Sequence, residues 1–147
     1  MSNHASLDTK SQISNNKSQK ISIIQKSNPK RFDLEDRTFI FAEKTRKFIN
    51  QLSKGVAMGN DCRQLIRSSG SVGANYIEAN SALGRKDFIM RIKICKKETR
   101  ESNFWLRLII TDIDPEHQNI ANELIQETIE LSSIFGAILK KFVDKTV

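Results

Sequence analysis

A chain of 147 residues is one domain's worth and long enough to bury a real core. Two prolines and six glycines are too few for a many-turned β-sandwich, so an all-helical domain is the natural expectation. Cys62 and Cys95 are the only cysteines, lacking a C-x-x-C pair or metal-like partners, which argues against a disulfide scaffold or zinc site and for core roles. The N-terminus has no apolar leader region and no run approaches about 18 apolar residues, so the expected setting is cytoplasmic, without membrane, metal or cofactor.

The formal net charge of +7 is unevenly distributed. Residues 1–34 hold six lysines and arginines against two aspartates in a stretch dominated by Ser, Asn, Gln and Lys. Such a segment buries too little apolar surface to offset its ordering entropy, so residues 1–32 are expected to be a disordered basic tail and residues 33–147 the folded domain. The tail reads either as a solubilising extension or as a nucleic-acid-binding arm. Ile21, Ile23 and Ile24 are its one short apolar exception.

In the first periodic segment Leu34, Thr38, Phe41, Thr45, Phe48 and Leu52 recur in steps of four and three, one stripe of a bundled helix. Phe39, Ile40 and Ile49 are expected to widen it, and Gly55 and Gly59 to bracket a short connection. The second segment is expected to start near Asn60 and Asp61, with a stripe of Cys62, Leu65, Ser69, Val72, Tyr76 and Ala79. That stripe continues through the loop-like SSGSVG of residues 68–73. A phosphate loop needs a preceding strand and a Gly-Lys-Ser/Thr ending, and neither is present. Gly70, Gly73 and Ala74 instead predict a small face for close helix approach, and Ser68, Ser69 and Ser71 can bond back to preceding carbonyls.

The third segment, from about Lys86 to Thr111, buries Phe88, Ile92, Cys95, Thr99, Ser102, Leu106 and Ile109 by its periodicity. Lys86, Lys93, Lys96, Lys97, Arg100 and Arg107 lie on the opposite side. Between Arg85 and Arg107 eight basic residues face three acidic ones, a charge of +5. A third flank of Met90, Ile94, Trp105 and Leu108 is too apolar for a solvated side and predicts a subunit interface. The last segment opens with Asp114-Pro115-Glu116, a cap followed by proline, and runs through Ile120, Leu124, Leu131, Ile134, Ile138 and Phe142. Six acids against two lysines give it −4 between Asp114 and Asp144. Four helices with short connections predict an antiparallel up-down four-helix bundle.

Four stretches carry a family resemblance: Gln64-Leu65-Ile66-Arg67-Ser68; Ser71-Val72-Gly73-Ala74-Asn75-Tyr76 with Glu78-Ala79; Asp87-Phe88-Ile89; and Lys97-Glu98 with Glu101 and Trp105-Leu106. Together they resemble the small four-helix bundle proteins whose founding members are encoded in intervening sequences of bacterial 23S ribosomal RNA genes, across roughly residues 33–142. The resemblance implies an up-down bundle that assembles into a ring of five subunits, with no established enzymatic activity. A related branch, the accessory proteins of diversity-generating retroelements, implies a basic pentameric barrel that binds a reverse transcriptase and nucleic acid, RNA or DNA. Gly84 departs from the family pattern by standing where a serine commonly caps the third helix.

Within the motif, Arg67, Ser71, Asn75 and Glu78 fall at i, i+4, i+8 and i+11 on one helical face. They read as a buried network fixing helix register, with Arg67 meeting Glu98 or Glu101; a ligand site is the alternative. Catalysis is disfavoured, because His4 and His117 sit in no nucleophile-base or metal motif and Arg107 lies too far before His117 for a ribonuclease pair. Lys93, Lys96, Lys97, Arg100 and Arg107 form a row suited to tracking phosphates, with Phe104 placed to stack on a base. Against this stands a solvated basic face pairing with the acidic fourth helix of a neighbour. A third reading is a protein-protein interaction scaffold without nucleic-acid contact.

Overall fold

The computed structural model describes residues 29–146, so the expected tail falls outside the described residues except for its last few positions, which already belong to the first helix. The chain runs as α1 (Pro29–Asn50), α2 (Val56–Asn80), α3 (Arg85–Ile109), a 3₁₀ turn (Ile110–Asp112), α4 (Pro115–Val143) and a closing 3₁₀ turn (Asp144–Thr146). Every described element is helical. No described helix is long and apolar enough to cross a membrane.

Contacts between helices run in opposite directions at each step, as an up-down bundle requires. Asn80, ending α2, donates to Glu35 near the start of α1 at 2.6 Å. Arg67 of α2 meets Glu98 of α3, while Arg91, earlier in α3, donates to Asn75, later in α2. Asn103, late in α3, donates to Thr128 of α4 at 2.8 Å, and Arg85, at the start of α3, lies 5.4 Å from the Phe142 ring near the end of α4. Phe48 and Gln51 at the end of α1 share a crevice with Ile120 and Leu124 near the start of α4.

The core follows the sequence stripes closely in the first three helices. Thr38, Phe41, Thr45 and Phe48 of α1, and Cys62, Leu65, Ser69, Val72, Tyr76 and Ala79 of α2, are buried. So are Ile92, Cys95, Thr99, Ser102, Leu106 and Ile109 of α3, whereas Phe88 is half-buried. Buried hydroxyls are satisfied within their own helices: Thr45 donates to the Phe41 carbonyl at 2.7 Å and Thr99 to that of Cys95 at 2.8 Å. Both cysteines are free and buried, and burial pushes the Cys95 thiol up to about 12, far from a reactive thiolate.

Besides Phe88, four expectations are corrected. Phe39 and Ile40 do not widen the α1 stripe; only Ile49 is buried, and Phe39 is 68% exposed. Helix α2 opens at Val56 behind an extended Gly55, with the Gly59 amide bonding the Gly55 carbonyl at 2.8 Å, so Gly59, Asn60 and Asp61 lie inside the helix. The added turn buries Met58, which accounts for the earlier start. In α4 the fully buried stripe is Ala121, Leu124, Thr128, Leu131 and Phe135, leaving Ile120, Ile134, Ile138 and Phe142 half-buried on its flanks. Phe135 reaches Tyr76 of α2, ring centroids 6.1 Å apart, which fixes this rotation of α4.

The SSGSVG stretch is continuous helix, with Ser68, Ser69 and Ser71 bonding back to the carbonyls of Leu65, Ile66 and Arg67. Its two glycines differ, which is the fourth correction. A Cβ on Gly73 would sit 3.2 Å from the Thr38 hydroxyl of α1, whereas one on Gly70 would meet nothing within 4 Å. Thr38 is buried and donates to the Glu35 carbonyl, so it cannot swing aside without losing that bond. Gly70→Ala is therefore expected to raise stability by about 1 kcal/mol in urea unfolding, the usual glycine-to-alanine gain in a helix. Gly73→Ala should fall short of it by about 1 kcal/mol or more, and equal gains would show that close approach does not require Gly73.

Candidate nucleic-acid interface

Helix α3 carries two chemically different polar faces, set by which side packs on α2. On the α2 side, the guanidinium of Arg67 grips Glu101 and lies 3.3 Å from Glu98 Oε2. The Glu98 contact is a charge contact rather than a directional bond, since the aligned donor distance is 3.5 Å to Oε1 and Oε2 has no hydrogen-bond partner. Glu98 is 8% exposed, so Arg67 supplies the counter-charge that keeps a carboxylate there tolerable. The Trp105 indole also donates to Glu101 at 3.3 Å. Arg67 hydrogen-bonded to Glu101 holds that carboxyl below its usual range.

The family-motif line comes together in part, but it is not the buried network expected: Arg67 is exposed, and Ser71 and Asn75 are half-buried. The Asn75 amide donates to the Ser71 carbonyl at 2.9 Å and its oxygen accepts from Arg91 at 3.1 Å. Arg91 lies 3.9 Å from Asp87. Glu78 is exposed and stands apart from this set. These contacts tie α2 to α3 at several levels, which is the chemistry of a register clamp.

The outer side of α3 is unlike this. Lys93, Lys97, Arg100 and Arg107 are exposed, and Lys96 lies across α4 with its ammonium 3.4 Å from where a Cβ of Gly136 would stand. None of these five, nor Lys86, makes an ion pair with a described carboxylate. The acids of α4 are turned away: Glu127 takes both Nε and a terminal nitrogen of Arg37 at 2.7 and 2.9 Å, and Glu130 binds the same guanidinium. The fork-on-carboxylate geometry raises the Arg37 pKa, so the guanidinium keeps its charge in this pairing.

Two open troughs run along this outer side. The first, of about 540 Å³, is lined by Lys93, Lys96, Lys97, Arg100, Glu101, Phe104 and Leu139. The second, of about 410 Å³, lies between α3 and α4, where Arg100, Asn103, Phe104 and Arg107 face Thr128, Ile129, Ser132 and Ser133. Arg100 and Phe104 belong to both. Lys86 stands at the start of α3 and lines neither. On the apolar flank, Met90 and Leu108 are 50% and 41% exposed, while Ile94 and Trp105 are half-buried. Thr128, Ser132 and Ser133 of α4, and Asn103 of α3 that bonds Thr128, were not legible in sequence, because the side of α4 facing α3 is identified only once that helix is rotated onto its Ala121–Thr128–Phe135 stripe.

Residues 30–137 match the family model described as 23S rRNA-intervening sequence protein. A solved structure, described as a protein of unknown function from the S23 ribosomal protein family of Bacteroides thetaiotaomicron, aligns with a TM-score of 0.61 and 31% identity. The alignment covers 72% of this chain and 97% of that one. No curated protein matches the chain.

Arg67→Ala is expected to lower stability at neutral pH by about 1–3 kcal/mol, since it leaves Glu98 and Glu101 without their counter-charge. The depressed Glu101 carboxyl contributes stability above the ordinary carboxylate range and loses it as pH falls through its folded value, so wild-type stability should drop on acidification. In Arg67→Ala that drop should be smaller. Urea unfolding at several pH values checks both, and a variant as stable as wild type with the same acid limb would remove the clamp role.

Proposed function

The chain belongs to the 23S rRNA-intervening sequence protein family, and from that premise we propose that it is a non-catalytic subunit that binds the backbone of RNA or DNA along the outer side of α3. The observation that carries this is the distribution of ion pairs. Arg37, Lys47, Arg67 and Arg91 are each matched to carboxylates, whereas Lys93, Lys96, Lys97, Arg100 and Arg107 are matched to none that is described. The row runs from Lys93 to Arg107, about 21 Å along the helix axis, enough to meet several phosphates. No base-reading motif accompanies it, so recognition is of backbone and shape.

We place a homo-oligomeric ring, a pentamer by family resemblance, beside this activity. Exposed Met90 and Leu108 of α3, and Phe39 and Ile77 of α1 and α2, are distinct apolar surfaces on one chain. Different patches meeting head to tail close a ring, which multiplies a weak cationic row by avidity. The same surfaces also favour a second reading, an assembly scaffold that docks a protein such as a reverse transcriptase without touching nucleic acid.

Salt separates the two readings. Fluorescence anisotropy of a labelled structured RNA against the full chain should show affinity falling steeply with salt, with log-log slopes of about −0.7 to −0.9 per phosphate engaged. Joint substitution of Lys93→Glu, Lys97→Glu and Arg100→Glu should weaken binding at least about tenfold and make the slope shallower by about 2, with the assembly unchanged by light scattering. Undiminished binding by the triple variant would overturn the α3 assignment, and absence of binding at low salt would favour the scaffold.

A further inference from the structure

Phe104 stands where the phosphate-binding role alone does not account for it. Its side chain is 54% exposed in the middle of a cationic row, and it is the residue, with Arg100, that both troughs share. Its ring is braced on one side: it meets Trp105 edge to face, ring centroids 4.9 Å apart and planes at 77°. Trp105 is in turn tied to Glu101, which Arg67 holds. A braced aromatic ring flanked by guanidinium and ammonium groups matches the chemistry of a base with a phosphate on either side.

The second trough adds polar groups aimed at more than phosphate. The Thr128 hydroxyl donates to the Ile125 carbonyl at 2.6 Å, so it offers Asn103 only a lone pair. Asn103 must therefore present its amide nitrogen to Thr128, at 2.8 Å, and its carbonyl oxygen has no described hydrogen-bond partner. An acceptor beside Arg107 and the Ser132 and Ser133 hydroxyls suits an amino group on an unpaired base or a ribose hydroxyl.

We propose that the α3 outer face takes a single strand of nucleic acid, with one unpaired base stacked on Phe104, its neighbouring phosphates in the two troughs, and Asn103 beside the base edge. The inference rests on the phosphate-binding role proposed above and narrows it. In the interior of a duplex every base face is covered by its neighbours, so away from duplex ends only an unpaired base can stack on Phe104.

The test is anisotropy titration of the full chain with a labelled single-stranded RNA, the same sequence as DNA, and a blunt duplex of equal length, at one low salt concentration. At least one single strand should bind about tenfold tighter than the duplex, and comparison of the two strands identifies the sugar preferred. Phe104→Ala should remove roughly tenfold of single-strand affinity with the salt slope unchanged, since stacking is not a counterion effect. Phe104→Leu, which keeps apolar bulk without a ring, should lose the same advantage, and Phe104→Tyr should retain it. Unchanged melting curves keep the variants comparable. Equal binding of strand and duplex, or a Phe104→Leu variant that binds like wild type, overturns base stacking while leaving phosphate binding in place. No binding of any of the three overturns both.

Discussion

The seam between α2 and α3 is the contact on which the rest depends. Ser68 and Val72 on one side and Cys95 and Ser102 on the other are small and buried. The Ser102 and Ser68 hydroxyls hydrogen-bond at 2.8 Å, and the Cys95 thiol lies 3.5 Å from the Val72 carbonyl. Side chains of this size let two helices lie close, and close packing leaves no freedom of register or rotation. Arg67 reaching Glu98 and Glu101 adds a charged clamp at the edge of the same seam. With one side of α3 committed, the 3.6-residue period dictates which residues stand on the other.

That dictated outer side is where the charges fail to cancel. Helix α3 is strongly basic and α4 acidic, and in sequence they look like natural partners. Burying Thr128, Leu131 and Phe135 instead turns Glu127 and Glu130 toward Arg37 of α1. What α4 offers the row is uncharged: Thr128, Ser132 and Gly136, with Ile129 and Leu139 at the edges of the troughs. A cationic row beside uncharged groups is left exposed and without a described carboxylate, which distinguishes it from the arginines used to hold helices together. Phe104 interrupts the row, and the Trp105–Glu101–Arg67 chain behind it links the outer face to the clamp on the inner one.

Most of the helical plan was legible because large apolar residues recur at three and four. The α2 and α3 stripes came through even across SSGSVG, where serine and glycine disguise a helix as a loop; continuity of the stripe outweighed composition. The Arg67 link to Glu98 and Glu101 was also readable, since all three lie on facing stripes. Less legible was α4, where ranking Ile120, Ile134 and Ile138 above Ala121 and Thr128 misjudged its rotation. Small residues at strict heptad spacing were the available signal, and they are buried because α4 packs closely there. The Arg37 pairing and the Asn103–Thr128 contact depend on that rotation and join residues distant in sequence, so no local pattern announces them. Val56 as the helix start was hidden because glycines at 55 and 59 resemble a loop, and only the burial of Met58 shows why the extra turn forms.

The central claim, that the outer face of α3 is where nucleic acid is held, is tested most directly by photocrosslinking a 4-thiouridine-substituted single-stranded RNA to the full chain and mapping the attached tryptic peptides by mass spectrometry. The account predicts crosslinks on the peptide of residues 101–107, which carries Asn103 and Phe104, and competition by unlabelled single strand. Crosslinks confined to residues 1–32 or to α1, with none on that peptide, would contradict it and move nucleic-acid contact away from the α3 outer face.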